Sequence, residues 1–154
     1  MSATAATRAD PAQGDAPRFV ERFADAWGHS DIDRLLALLT DDVVLRQPML
    51  PTTFGKSAAR DAFGRLFAAF PGLRATVHNW GAEGDVLFIE FTLTCSFGGR
   101  ELSWPAVDRF LLRDGLAAER VNYFDPLPLF LKVLRRPRGL PGLLRARLFP
   151  SARS

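Results

Sequence analysis

The sequence predicts an α+β domain in which a cone-shaped, curved antiparallel sheet packs with N-terminal helices around a hydrophobic pocket. Three observations predict it. Apolar residues recur at helical spacing up to Phe70, alternate at strand spacing from residue 74 to 124, and return to helical spacing after Asp125-Pro126. The alternating region is cut by Glu83-Gly84, Gly98-Gly99 and Asp114-Gly115 into four long strands, the pattern of a meander. Strands of about ten residues twist and curl, and a curled sheet closed by helices leaves a conical hollow.

Pro17 opens the first helix, whose Phe19, Val20, Phe23, Ala24 and Trp27 form an apolar stripe ending at Gly28, with Glu21, Arg22 and Asp25 on the wet side. A second helix starts at an Asp31 cap and carries Ile32, Leu35, Leu36, Leu38 and Leu39 up to a Thr40-Asp41-Asp42 turn. Val43 to Gln47 is a short strand. Pro48, Pro51 and Gly55 make the next stretch a loop, and Ser57 caps a third helix with Phe63, Leu66, Phe67 and Phe70 along one side, stopped by Pro71-Gly72. Strands follow at about 74–82, 85–97, 100–113 and 116–124. Pro105 lies inside one of them, so an edge or bulge is expected there. Asp125-Pro126 starts a last helix with a cap and a proline at its first position.

With 154 residues, 47% of them hydrophobic and 24% charged, the chain forms one domain with a single core. Its 13 Phe and 3 Trp against a single Tyr make the interior aromatic and poor in hydroxyls, so polar groups inside it stand out. Cys95 is the only cysteine, which excludes an intramolecular disulfide framework and a thiolate zinc site and fits a cytoplasmic setting. Residues 1–17 read as a disordered lead-in without signal-peptide or transmembrane character. Of the net charge of +3, residues 129–154 supply +7 with no acid, which leaves −4 for residues 1–128. An acidic body is a poor nucleic-acid surface, so polyanion or membrane affinity would have to reside in the tail.

The stretch from Trp104 to Phe130 is the most informative. Asp108 shares strand parity with Trp104 and Ala106, and Arg120 and Asn122 alternate on the next strand, so all three polar side chains face inward. Desolvation would raise the Asp108 pKa and Arg120 would lower it, and a carboxyl held between these could move protons; a purely structural ion pair is the alternative. Asn122 and Gln47 could hold a water or a substrate oxygen, or satisfy each other. His78, a strand residue, could shuttle protons or simply face solvent. Cys95 reads as packing, His29 as a loop residue and Asp125 as a helix cap.

The order of elements and the segments SDIDRLLALLTDDVVLRQP, FGKSAARDAF and DRFLLRDGLAAERVNYFDPLPLF resemble the SnoaL-like branch of the nuclear transport factor 2 superfamily over about residues 18–131. Within it the sequence is most similar to limonene-1,2-epoxide hydrolases, and more distantly to ketosteroid isomerase and polyketide cyclases. In the hydrolases an Arg and an Asp two residues apart, with an Asp on the last strand, activate water and protonate the epoxide. Those places hold Phe91, Leu93 and Asn122 here. The hydrolase Tyr and Asn that hold the water correspond to Leu45 and Gln47. The ketosteroid isomerase base falls on Gln47 and its oxyanion donors on Phe23 and Ala106. The resemblance thus implies the cone and the pocket without either known catalytic set. The walls it implies are Ala24, Trp27, Leu45, Gln47, Phe91, Leu93, Cys95, Trp104, Ala106, Asp108, Arg120, Asn122, Phe124 and Leu129. It also implies a homodimer formed through the sheet face.

Three functions follow as expectations. The first is a SnoaL-like enzyme for a hydrophobic, oxygenated molecule of polyketide, steroid or terpenoid type, using cofactor-free and metal-free acid/base chemistry (cyclisation, isomerisation or epoxide opening). Asp108, Asn122 and Arg120 are its catalytic candidates; Gln47, Trp27, Leu45, His78, Phe91, Leu93, Trp104, Ala106, Phe124 and Leu129 would bind substrate. The second is a non-catalytic binding domain for an apolar ligand, and the third a structural dimerisation domain. The SnoaL-like domain spans 18–134 and a basic tail 135–154. Residues 132–149 could rest on a membrane surface with Leu140, Leu143, Leu144, Leu148 and Phe149 in lipid, or form a flap over the cavity mouth, a dimer surface or a disordered end.

Overall fold

A computed structural model describes residues 14–148; the greater part of the expected lead-in, together with Phe149 and the residues after it, lies outside them. Helix α1 (Ala16–Gly28) is followed by α2 (Ile32–Leu36), strand β1 (Leu39–Arg46), a two-residue strand β2 (Thr53–Phe54) and helix α3 (Lys56–Ala69). Strands β3 (Arg74–Glu83), β4 (Val86–Phe97), β5 (Arg100–Arg113) and β6 (Leu116–Tyr123) come next. Helix α4 (Pro126–Leu134), a 3-10 turn at Pro137–Gly139 and helix α5 (Leu140–Arg145) complete the order. The six strands form one curved sheet in the order β2-β1-β6-β5-β4-β3, and the fold is α+β.

The meander β3 to β6 is antiparallel throughout, as expected, with strand limits within one residue of the sequence reading. Asp114 and Gly115 both take positive φ, 53° and 75°, in the tight turn joining β5 to β6, where glycine removes the steric cost of the second position. Strand β1 runs parallel to β6, so the sheet is not wholly antiparallel. Alternation decides the faces. On β4 the side chains of Leu87, Ile89, Phe91, Leu93, Cys95 and Phe97 are buried, and on β5 every even residue from Leu102 to Leu112.

Several local expectations are corrected. Helix α2 stops at Leu36, and Leu39 to Asp42 belong to β1: Leu39 pairs with Ala117, so ladder formation overrides the turn character of Thr40-Asp41-Asp42. Thr53 and Phe54 form a short edge strand on β1 inside the expected loop. Gly55, not Ser57, occupies the N-cap of α3. On α1 the buried stripe runs through Ala16, Phe19, Val20, Phe23, Ala26 and Trp27, so Ala26 takes the place assigned to Ala24. Pro105 stands opposite Thr92 with no register shift, and therefore no bulge; β6 pairs with β5 only from Val107 onward, so Pro105 lies on an overhang with one side open. That overhang, Arg100 to Ala106, meets the C-terminal segment: Lys132 donates to the Ser103 carbonyl at 3.0 Å and Arg136 to that of Glu101 at 2.7 Å.

Helix α1 lies across the concave face. Phe23 packs on Trp27, Phe91 and Phe110, and Phe19 on Phe110, with ring centroids 4.9–6.2 Å apart. These rings fill the interior between α1 and the sheet. The part left open is lined by residues of α4 and α5.

Candidate functional site

Asp108 on β5 stands directly opposite Asn122 on β6, and Arg120 precedes Asn122 by two residues on the same inward face. Arg120 donates through Nε to Oδ2 of Asp108 at 2.6 Å, and Asn122 donates through Nδ2 to Oδ1 at 2.7 Å. The carboxylate is 0% exposed, the guanidinium residue 7% and the amide residue 5%. The Arg120 guanidinium also lies over the Trp27 ring, 5.8 Å from its centroid, close enough for a cation–π contribution. Burial raises the Asp108 pKa above the usual carboxylate range; the charge and hydrogen bond of Arg120 and the hydrogen bond of Asn122 pull the other way without cancelling it.

Above this cluster lies a cavity of about 410 Å³, within the size range of small-molecule sites. Arg120 and Asn122 reach it; Asp108 stays behind them and does not form part of its wall. Gln47 is the third polar wall residue, and no hydrogen bond joins it to Asn122. The remainder of the lining is aliphatic or aromatic. Of the expected binding residues, Trp27, Gln47, Leu93, Trp104, Phe124 and Leu129 line the cavity.

Leu45, Phe91 and Ala106 do not line it. Their inward orientation is as expected, but they are buried below the open part, Phe91 among the rings of the aromatic plug. Ala24 and Cys95, also among the implied walls, are absent from the lining as well. Burial pushes the Cys95 thiol up to about 11, in keeping with inert packing. His78 is a clearer correction. The register of β3 against β4 shifts between Val77 and Asn79, so His78 occupies a bulge, is exposed, and pairs through Nε2 with Thr92 Oγ1 at 2.8 Å. Asp125 caps α4 by accepting from the Leu127 N–H at 3.0 Å.

Wall residues that sequence reasoning missed come from three places, the first being Leu66 and Phe70 on the apolar side of α3 and at its end. Pro48, Met49 and Leu50 follow β1 in the stretch taken for a plain loop. Val133, Leu140, Leu143 and Leu148 come from the C-terminal helices and the residues after them. The signal was present in the i, i+3, i+7 spacing of Pro126, Leu129 and Val133, all three of which line the cavity. The tail leucines Leu140, Leu143 and Leu148 thus cover the cavity, as the flap reading expects, whereas Leu144 is exposed. Gly139 permits this closure: a β-carbon there would lie 2.5 Å from the Phe97 ring.

A profile of the SnoaL-like domain matches residues 20–120. The chain belongs to the SnoaL-like domain family. The structure of a candidate SnoaL-like polyketide cyclase from Jannaschia sp. CCS1 superposes with a TM-score of 0.72 at 24% identity, covering 82% of this chain and 96% of that one. An LEH-like epoxide hydrolase from M. tuberculosis gives 0.69 at 26% identity over 85% and 98% of the two chains. TerC, crystallised with polyporic acid, gives 0.71 at 18% identity over 79% and 99%. No curated protein matches the sequence. Among the described residues of this SnoaL-like chain, no helix is long and apolar enough to cross a membrane.

Proposed function

We propose that this SnoaL-like protein is an enzyme for a hydrophobic, oxygenated small molecule of polyketide, steroid or terpenoid type, working by cofactor-free acid/base chemistry such as cyclisation, isomerisation or epoxide opening. One observation carries the reading: Arg120 and Asn122, on the wall of an otherwise apolar cavity, are both tied to the buried carboxylate of Asp108. In this reading a carbonyl, enolate or epoxide oxygen lies against the guanidinium. Its Nε is held by Asp108, and its terminal nitrogens are left to donate. Charge developing on that oxygen is stabilised more strongly in a water-poor hollow than in solvent. Asn122 turns Nδ2 toward Asp108 and keeps its carbonyl oxygen for a ligand hydroxyl. Asp108 is then a positioning residue that acts through its two partners, and the migrating proton travels within the substrate or through water at the mouth.

The test is a panel of apolar ketones, enones, epoxides and phenols, scored for binding and turnover. Arg120→Met should lower turnover on the order of a hundredfold, as loss of one oxyanion donor does, and Asn122→Leu should lower it by removing the acceptor for the ligand hydroxyl, while a plain hydrocarbon of the same size still binds each variant. Turnover untouched by both substitutions would sink the reading. A non-catalytic binding domain is the second reading, favoured by the absence of any carboxylate or imidazole from the cavity wall among the described residues. Stoichiometric binding across the panel without conversion would select it. The open cavity speaks against a purely structural dimerisation domain. A sheet-face homodimer is part of our reading, supported by exposed Phe88, Leu111 and Tyr123 on the convex side of β4, β5 and β6.

A further inference from the structure

The cavity opens where the protein is most apolar outside and most basic. Met49, Phe130 and Leu134 each line the cavity and are also largely exposed, so they form its rim. On α4 the rim continues into an exposed stripe: Leu127, Phe130, Leu131 and Leu134 stand at i, i+3, i+4 and i+7, with Leu127 61% and Leu131 43% exposed. A surface helix ordinarily turns such a stripe inward. Here α4 already turns Leu129 and Val133 inward, so the second stripe is extra apolar surface. Leu144 on α5, 78% exposed, adds to it.

Charge selects the partner. Residues 126–148 contain six basic residues and no acidic one. Lys132 and Arg136 are tied to backbone carbonyls of β5, which leaves Arg135, next to Leu134, and Arg145, next to Leu144, exposed together with Arg138 and Arg147. Apolar side chains flanked by exposed arginines fit an anionic lipid surface, where leucines enter the acyl boundary and guanidinium groups meet the headgroups.

We propose that the cavity mouth docks on an anionic membrane surface through the α4 stripe and the flanking arginines, so that an apolar ligand passes between bilayer and cavity without crossing water. The ligand half of this statement rests on the proposed function; the docking half does not.

The experiment uses the full chain without ligand and vesicles of phosphatidylcholine alone or mixed with phosphatidylglycerol, followed by co-flotation. Binding to the mixed vesicles and not to the neutral ones is expected. It should weaken with salt and fall roughly fivefold for each of Arg135→Gln and Arg138→Gln. The Leu127→Glu/Leu131→Glu variant changes two exposed positions outside the cavity wall; it should fold, retain ligand affinity and lose vesicle binding. Absence of binding to the mixed vesicles overturns docking, as does salt-sensitive binding that the Glu variant retains. A chain that is dimeric through this stripe, becomes monomeric in the Glu variant and never floats with vesicles overturns it in favour of a second copy. Because the vesicles carry no ligand, each of these failures leaves the cavity chemistry to be judged by its own test.

Discussion

Arg120 joins two compartments of the protein: its Nε is 2.6 Å from Oδ2 of the wholly buried Asp108, while the same residue lines the cavity. Removing only the carboxylate strands a buried cation. Asp108→Ala should therefore cost about 3–5 kcal/mol in urea unfolding, whereas the double variant Asp108→Leu/Arg120→Met should come within about 1 kcal/mol of wild type or exceed it. A double variant as unstable as the single one would mean that the pair also holds the sheet.

Arg120→Lys tests the need for two directions of donation. A lysine places one point charge where the guanidinium bonds Asp108 sideways and faces the cavity. Affinity for oxygenated ligands should drop about tenfold or more, and affinity for hydrocarbons should not change. Calorimetry on matched pairs of ligands measures the difference.

Gly139→Ala forces a methyl group into the Phe97 ring, and the flap must lift to relieve the clash. Stability should fall by about 1–3 kcal/mol, as in other overpacked sites. Amide exchange should quicken over 140–145 while β4 and β5 stay protected. An unchanged exchange pattern would show that the flap is not held at this point.

Glu119 bridges Arg46 of β1 and Arg109 of β5. The hydrogen bond from Arg46 first, then that from Arg109, holds its carboxyl below the ordinary value of 4.5. A depressed folded pKa adds stability above 4.5 and loses it as pH falls through the folded value. The melting temperature of Glu119→Gln should therefore lie below that of wild type at neutral pH, by an amount worth at most about 1 kcal/mol for so exposed a network. The two should converge in acid.

Much of the site could be read from strand parity. The alternation that buries Phe110 and Leu112 also buries Asp108, and the hairpin at Asp114-Gly115 sets Asn122 opposite it. Parity gives the face of a side chain but not its depth; Leu45, Phe91 and Ala106, which the family resemblance implies as cavity walls, face inward but lie beneath the opening. His78, a candidate for its imidazole chemistry alone, sits at a bulge and faces solvent, the plainer of the two readings open to a strand histidine. The tail leucines were legible as an apolar pattern, but nothing local distinguishes a leucine that covers a cavity from one that meets a lipid. The seating of α5 on the cavity, a tertiary contact, turns Leu143 inward and leaves Leu144 in solvent.

The overhang of β5 from Arg100 to Ala106 is a bare strand margin, and bare margins recruit strands from other molecules into growing aggregates. Pro105 cannot donate to such an added strand, and Lys132 and Arg136 already occupy the carbonyls of Ser103 and Glu101. The C-terminal segment thus guards against self-polymerisation as well as roofing the hollow, and cutting the chain ahead of Lys132 would give up that protection even if the sheet stayed folded.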